Sequence, residues 1–158
     1  MSEFGLIILM EVSMYKICEE SKRYNIFYKR NEKMYHDIAV KLGISDTVFW
    51  IFHSICEYGD TFTQKLLVDY LCSPKQTINS AITNLIKDGY MTIKCEEDKK
   101  SKELVLTKKG NLFCESKILP IVKAENEAYA KFSKEELELF FKVLDTKYEI
   151  IKESADKL

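Results

Sequence analysis

The sequence predicts a mainly α chain with a small β-hairpin, organised as a winged helix-turn-helix between long terminal helices. Three observations predict it. Apolar residues recur at helical spacing through most of the 158 residues. The period changes to two around a short charged segment, 96–102. Just before that change lies SPKQTINSAITNLIKDGY, residues 73 to 90, whose polar side carries Ser, Lys, Gln, Thr and Asn but no carboxylate until Asp88.

The elements follow in order. Residues 11–42 lack Gly and Pro and place Ile26, Phe27, Met34, Ile38 and Leu42 at helical positions, with Gly43 as the stop. Ile44-Ser45-Asp46 forms a turn, and Asp46 can cap a dense apolar helix at 47–58. Gly59-Asp60 ends it, and a short helix at 62–71 follows, capped by Thr61 or Thr63. Cys72 is the connector to the next helix, 74–88. Ser73 at its N-cap with Gln76 three residues on reads as a capping box, and Pro74 suits a first helical position. Ile78, Ala81, Ile82, Leu85 and Ile86 give that helix one apolar face. Strands at 90–95 and 103–107 flank the polar tip EEDKKSK. Thr107 can cap a helix at 108–131 with a kink at Pro120. Ser133 and Glu136 form a second capping box ahead of a helix at 134–156, whose seam is Leu137, Phe140, Phe141, Leu144, Tyr148 and Ile151.

Three compact helices and a hairpin make the winged module, residues 43–110. The segments 1–42 and 111–158 lie outside it. Their apolar seams need a partner, most economically the same helices of a second subunit. Composition agrees with a folded chain: 46% hydrophobic and 31% charged residues, with five Gly and two Pro. The formal net charge is -1, yet residues 60–112 hold nine Lys against seven Asp and Glu while both flanks lean acidic. That is the sign expected of a central anion-binding surface.

In a helix-turn-helix the second helix enters the major groove, whose phosphate walls repel carboxylates. Asn and Gln bond adenine edges, Lys bonds guanine, and Ser and Thr bond either. Lys75, Gln76, Thr77, Asn79, Ser80, Thr83 and Asn84 supply this chemistry, and Ser73 and Pro74 open a helix N-terminus able to hold a phosphate. In the hairpin tip Lys99, Lys100 and Lys102 can meet phosphates or a minor groove. An ordinary amphipathic helix and a solvated turn would carry the same residues; their succession favours the DNA reading.

No metal and no cofactor is expected. Neither histidine, His36 or His53, lies in a ligand motif, and there is no Gly-rich phosphate loop, nucleophile elbow or C-x-x-C, so an enzyme is disfavoured. The five cysteines are odd in number and not spaced for zinc, which suits reduced thiols in a cytoplasmic protein. FGLIILM at 4–10 is too short to span a membrane and lacks the flanks of a signal peptide.

From LGIS at 42–45 through SPKQTINSAITNLIKDGYM, the charged wing, LVLTKKG at 104–110 and FSKEELELFFKVL at 132–144, the sequence resembles the multiple-antibiotic-resistance regulator (MarR) family, over roughly residues 20–155. The resemblance implies a homodimer built from the terminal helices and bound to pseudo-palindromic double-stranded DNA, with a recognition helix at 74–88 and a wing at 96–103. Repression is the family's commoner habit. Members often carry Asp-x-Arg in the wing; here Asp98-Lys99-Lys100 puts Lys where Arg is usual, which weakens minor-groove readout. The resemblance also implies release by a small, often aromatic effector held near Tyr35, Phe49, Trp50 and His53, residues that equally suit a plain core. A peroxide-sensing branch uses a cysteine near the first helix. Cys18, with Tyr15 and Tyr24 nearby, is the corresponding candidate, but its YKICEE flanks depart from that branch and Glu19-Glu20 oppose a thiolate. The rival class is a winged-helix interaction module without specific DNA binding.

Overall fold

The computed structural model describes residues 16–59, 62–94 and 103–158. Two compact units divide the chain, one ending at Asp46 and one spanning Thr47–Leu158.

The first unit holds α1, Glu19–Leu42. Cys18 is its extended N-cap, and Glu19 and Glu20 in the first turn suit the positive end of the helix dipole. The helix therefore starts later than the residue 11 expected from sequence: residues 16–18 are not helical, and 11–15 lie outside the described residues. At the other end Gly43, with φ +70°, closes a Schellman motif: its N–H donates to the Val40 carbonyl and that of Ile44 to Ala39. Lys33 Nζ lies 2.7 Å from Asp37, and this hydrogen bond holds the Asp37 carboxyl below its usual range. Asp46 is not a cap. It sits in the first turn of the next helix and its carboxylate approaches His36 Nδ1 at 3.0 Å.

The second unit begins one residue into α2, Asp46–Tyr58, whose Phe49, Ile51, Phe52 and Ile55 are buried. Strand β1, Phe62–Thr63, comes next. Sequence assigns these residues to a helix, but Phe62 pairs with Leu104 and Thr63 with Glu103, so the sheet has three antiparallel strands in the order β1-β3-β2. A two-residue strand leaves no alternation to read. Helix α3 is Gln64–Tyr70, capped as expected by Thr63, whose Oγ1 accepts from the Leu66 N–H. Helix α4 is Lys75–Lys87. Gly89, φ +74°, closes it with a second Schellman motif, Tyr90 N–H to Leu85 and Gly89 N–H to Ile86.

Strands β2, Met91–Lys94, and β3, Glu103–Leu106, form the hairpin in the register Met91 with Leu106 through Lys94 with Glu103. The tip, with Asp98, Lys99, Lys100 and Lys102, lies outside the described residues. Thr107 caps α5, Lys108–Phe113, as expected, and its hydroxyl also donates to Gly89 O at 2.6 Å. Gly110 packs directly on the Tyr90 carbonyl, where a Cβ would have no room. The helix expected at 108–131 is interrupted: a π turn at Cys114–Ile118 precedes α6, Leu119–Tyr129. The Leu119 N–H bonds back to Cys114 O. Pro120 has no N–H with which to continue a regular ladder, so the break falls just before it. Ser133 and Glu136 make the expected capping box, with Ser133 N–H to Glu136 at 2.8 Å and Glu136 N–H to Ser133 Oγ at 3.2 Å, and open α7, Lys134–Ala155.

The core of this unit joins α2, Leu67, the inner face of α4, Met91, Leu104, Cys114 and Ile118. Two contacts hold α2 against the segment from α5 to α6: the Phe52 and Phe113 rings, 4.9 Å apart, and His53 Nε2 to Glu125 Oε2, 2.8 Å.

Candidate nucleic-acid interface

Leu71, Cys72, Ser73 and Pro74 turn the chain from α3 into α4. Cys72 takes φ +46°, an unusual conformation for a residue with a side chain, and its thiol donates to the Asp69 carbonyl at 3.6 Å. The capping box expected from Ser73 and Gln76 does not form. Pro74 occupies the N-cap, and the Ser73 hydroxyl donates to Leu71 O at 3.0 Å. Proline's fixed φ and missing N–H set the start one residue later, and Pro74 O accepts from Thr77 and Ile78. The amides of Lys75 and Gln76 thus precede the first intrahelical bond, as donors at a positive helix end do.

Ile78, Ala81, Ile82 and Leu85 of α4 are buried, which turns Lys75, Gln76, Thr77, Ser80, Thr83 and Asn84 outward, all exposed. The Ser80 hydroxyl donates to Gln76 O at 2.9 Å and that of Thr83 to Asn79 O at 2.8 Å. Each spends its proton on its own helix and presents lone pairs, so both suit amino donors such as adenine N6 or cytosine N4. Asn79 behaves differently. It is half-buried, and its amide oxygen is buried with no hydrogen-bond partner among the described residues.

At the hairpin base Lys109 Nζ donates to Asp88 O at 2.8 Å and stands 4.1 Å above the Tyr90 ring. It ties the end of α4 to the start of α5. Sequence gives no sign of this, because the partner is a backbone carbonyl.

The residues expected to hold an effector are divided between the two units. Tyr35 is in the first unit and half-buried. Phe49 is wholly buried, Trp50 is half-buried, and their rings meet edge to face at 5.2 Å. His53 is 8% exposed, is hydrogen-bonded to Glu125, and has Nδ1 3.8 Å from Glu57. Glu57 accepts from the Tyr70 hydroxyl at 2.8 Å; burial first, and then this bond, raises that phenol above its ordinary range. An open apolar groove of about 300 Å³ lies beside it, lined by Tyr58, Phe62, Leu66 and Tyr70. Cys18 is exposed, its thiol donating to Ser21 Oγ at 3.2 Å.

Helix α7 carries more apolar surface than the expected seam. Leu137 and Leu144 are half-buried, whereas Phe140, Phe141, Tyr148 and Ile151 stay exposed. At about 100° per residue, Leu139, Val143 and Ile150 form a second stripe on the opposite side, about 60% exposed. Among the described residues no group of His, Cys, Asp and Glu could hold a metal ion, and no single helix is long and apolar enough to cross a membrane.

The sequence matches no protein-family model and no curated protein. Solved structures do match. A MarR family regulator from Neisseria meningitidis is similar with a TM-score of 0.72 at 16% identity, over 89% of this chain and 99% of that one. MepR of S. aureus in complex with DNA gives 0.66 at 15%, over 83% and 95%. MarR of Staphylococcus aureus in complex with salicylate and kanamycin gives 0.61 at 22%, over 85% and 91%. The chain has the winged-helix fold of these regulators.

Proposed function

We propose that this protein is a sequence-specific DNA-binding transcriptional regulator, acting as a homodimer with α4 in the major groove. One observation carries the reading: the outward face of α4 bears amides, hydroxyls and Lys75 with no carboxylate from Ser73 to Lys87, on a helix anchored firmly by its other side. Such a face gains nothing from excluding acids unless its partner is an anion. Lys75, Gln76, Thr77, Ser80, Thr83 and Asn84 contact bases or phosphates. Asn79, its oxygen turned inward, offers its amide nitrogen. Ser73 and Pro74 place the free N–H groups against the backbone. The wing, with Asp98, Lys99, Lys100 and Lys102, follows a neighbouring groove, and Lys in place of Arg makes it a phosphate contact more than a reader.

In this reading residues 43–110 are the reading head and 1–42 with 111–158 are the dimerisation segments. Two apolar stripes on α7 support it, since a helix apolar on opposite sides needs cover on both. A two-fold dimer reads a pseudo-palindromic operator with half-sites about one helical turn apart. The reading extends to a repressor released by a small aromatic effector near Tyr35, Phe49, Trp50 and His53; the neighbour that holds salicylate supports that class of ligand. The test is selection of random duplex DNA on the purified protein, followed by the salt dependence of binding to the selected site. An inverted repeat with a steep salt slope is expected. No enrichment at low salt in reducing buffer would replace DNA with a protein partner.

A further inference from the structure

We infer that Tyr58, Phe62 and Tyr70, with Glu57 at their rim, form an aromatic corner that binds a small organic ammonium ion. Three elements of the second unit build it. Tyr58 is the last residue of α2, Phe62 opens β1, and Leu66 and Tyr70 lie one turn apart on α3. Their places are fixed by backbone bonds. Phe62 is paired with Leu104 in the sheet, and the Thr63 cap sets the start of α3.

The Tyr58 ring meets both partners edge to face. Its centroid is 5.9 Å from that of Phe62 and 5.0 Å from that of Tyr70, and the planes stand 75° apart in each pair. Rings at such angles turn faces onto a shared space from different sides. That space is the open groove of about 300 Å³. Phe62 is its buried floor, while Tyr58, Leu66 and Tyr70 are exposed walls.

Charge selects the occupant. Each ring face carries the negative part of its quadrupole and attracts a cation. Glu57 adds a carboxylate. Its Oε2 accepts the Tyr70 hydroxyl at 2.8 Å, which fixes that ring and holds the carboxylate beside the groove. The same oxygen lies 3.8 Å from His53 Nδ1, so Oε1 is left without a hydrogen bond among the described residues. Burial, then the bonds to Glu57 and Tyr58, raise the Tyr70 phenol above its ordinary range, so it keeps the proton it gives to Glu57. No Lys or Arg lines the groove among the described residues. An anion is repelled here, and a neutral apolar ligand gains only from burial. A methylated ammonium ion gains from the ring faces, the carboxylate and Leu66 together.

The experiment uses the full chain. It is titrated at constant ionic strength with choline and, separately, with the uncharged isostere in which a tert-butyl group replaces trimethylammonium. Calorimetry reads affinity, and the ring resonances of labelled tyrosines read location. Choline should bind saturably and shift the Tyr58 and Tyr70 rings, and the isostere should bind about tenfold more weakly. Tyr58→Phe keeps the ring and should keep binding. Tyr58→Leu should lose it, and Glu57→Gln should weaken it severalfold, each with the circular dichroism of the parent. No saturable binding of choline, or unchanged affinity in Tyr58→Leu, would overturn the inference. Equal binding of the isostere would also overturn it, leaving the groove a seat for an apolar protein segment. None of these readouts depends on DNA binding.

Discussion

Helices α4 and α7 are both amphipathic, and they spend their apolar faces differently. In α4 the apolar face is covered by its own chain: Ile78 is wholly buried and Leu85 is 4% exposed. What remains for a partner is polar and acid-free. In α7 no residue is buried, and the apolar side chains themselves remain for a partner. The difference separates two kinds of recognition. A helix clamped by its own core presents a rigid polar surface, which suits hydrogen-bonded readout of a groove. A helix with uncovered apolar stripes gains its energy from association.

Five substitutions break or sharpen that contrast. Ile78→Asp puts an unpaired charge in the core and should cost upwards of about 4 kcal/mol; urea denaturation followed by circular dichroism should show the cooperative transition lost or shifted to very low denaturant. Ile150→Asp places the same charge on α7 and should leave the fold of the reading head intact. Its cost should fall on self-association, about 2–3 kcal/mol for the lost burial, or roughly two decades in the dimer dissociation constant. Sedimentation equilibrium reads it; an unchanged oligomeric state would remove this stripe from the interface.

Capping gives a finer test. Ser133→Ala removes the hydroxyl that receives the Glu136 N–H and should cost about 1 kcal/mol. Ser73→Ala should cost less, because that hydroxyl bonds Leu71 and caps nothing. Equal costs in thermal unfolding would show the two starts to be equivalent. The smallest effect on stability belongs to Lys75→Ala, which touches only the outer face of α4. It should leave unfolding unchanged, weaken binding to the selected site, and make its salt slope shallower by about one unit. Unchanged affinity and slope would displace α4 from the groove.

Much of the fold was legible because its signals are local. The apolar spacing of Ile78, Ala81, Ile82 and Leu85, the stops at Gly43 and Gly89, and the caps at Thr63, Thr107 and Ser133 depend on residues within a turn or two of each other. The misreadings arise where a distant group competes. Asp46 meets His36 instead of capping. Ser73 yields the cap position to Pro74. Phe62 and Thr63 leave a helical pattern to pair with β3. The outward face of the candidate site was legible residue by residue, but the inward amide oxygen of Asn79 was not, since rotamer follows packing.

By itself, the sequence determined which segments are helical, where the hairpin falls, and that the helix ahead of it excludes acids from its polar side. These follow from periodicity and backbone chemistry, which act over a few residues. Only the tertiary structure decided that β1 completes the sheet, that Lys109 ties α4 to α5, that α7 leaves two apolar stripes uncovered, and that His53 meets Glu125. Those outcomes depend on which surfaces the packed chain brings together across tens of residues, and no spacing along the chain encodes that.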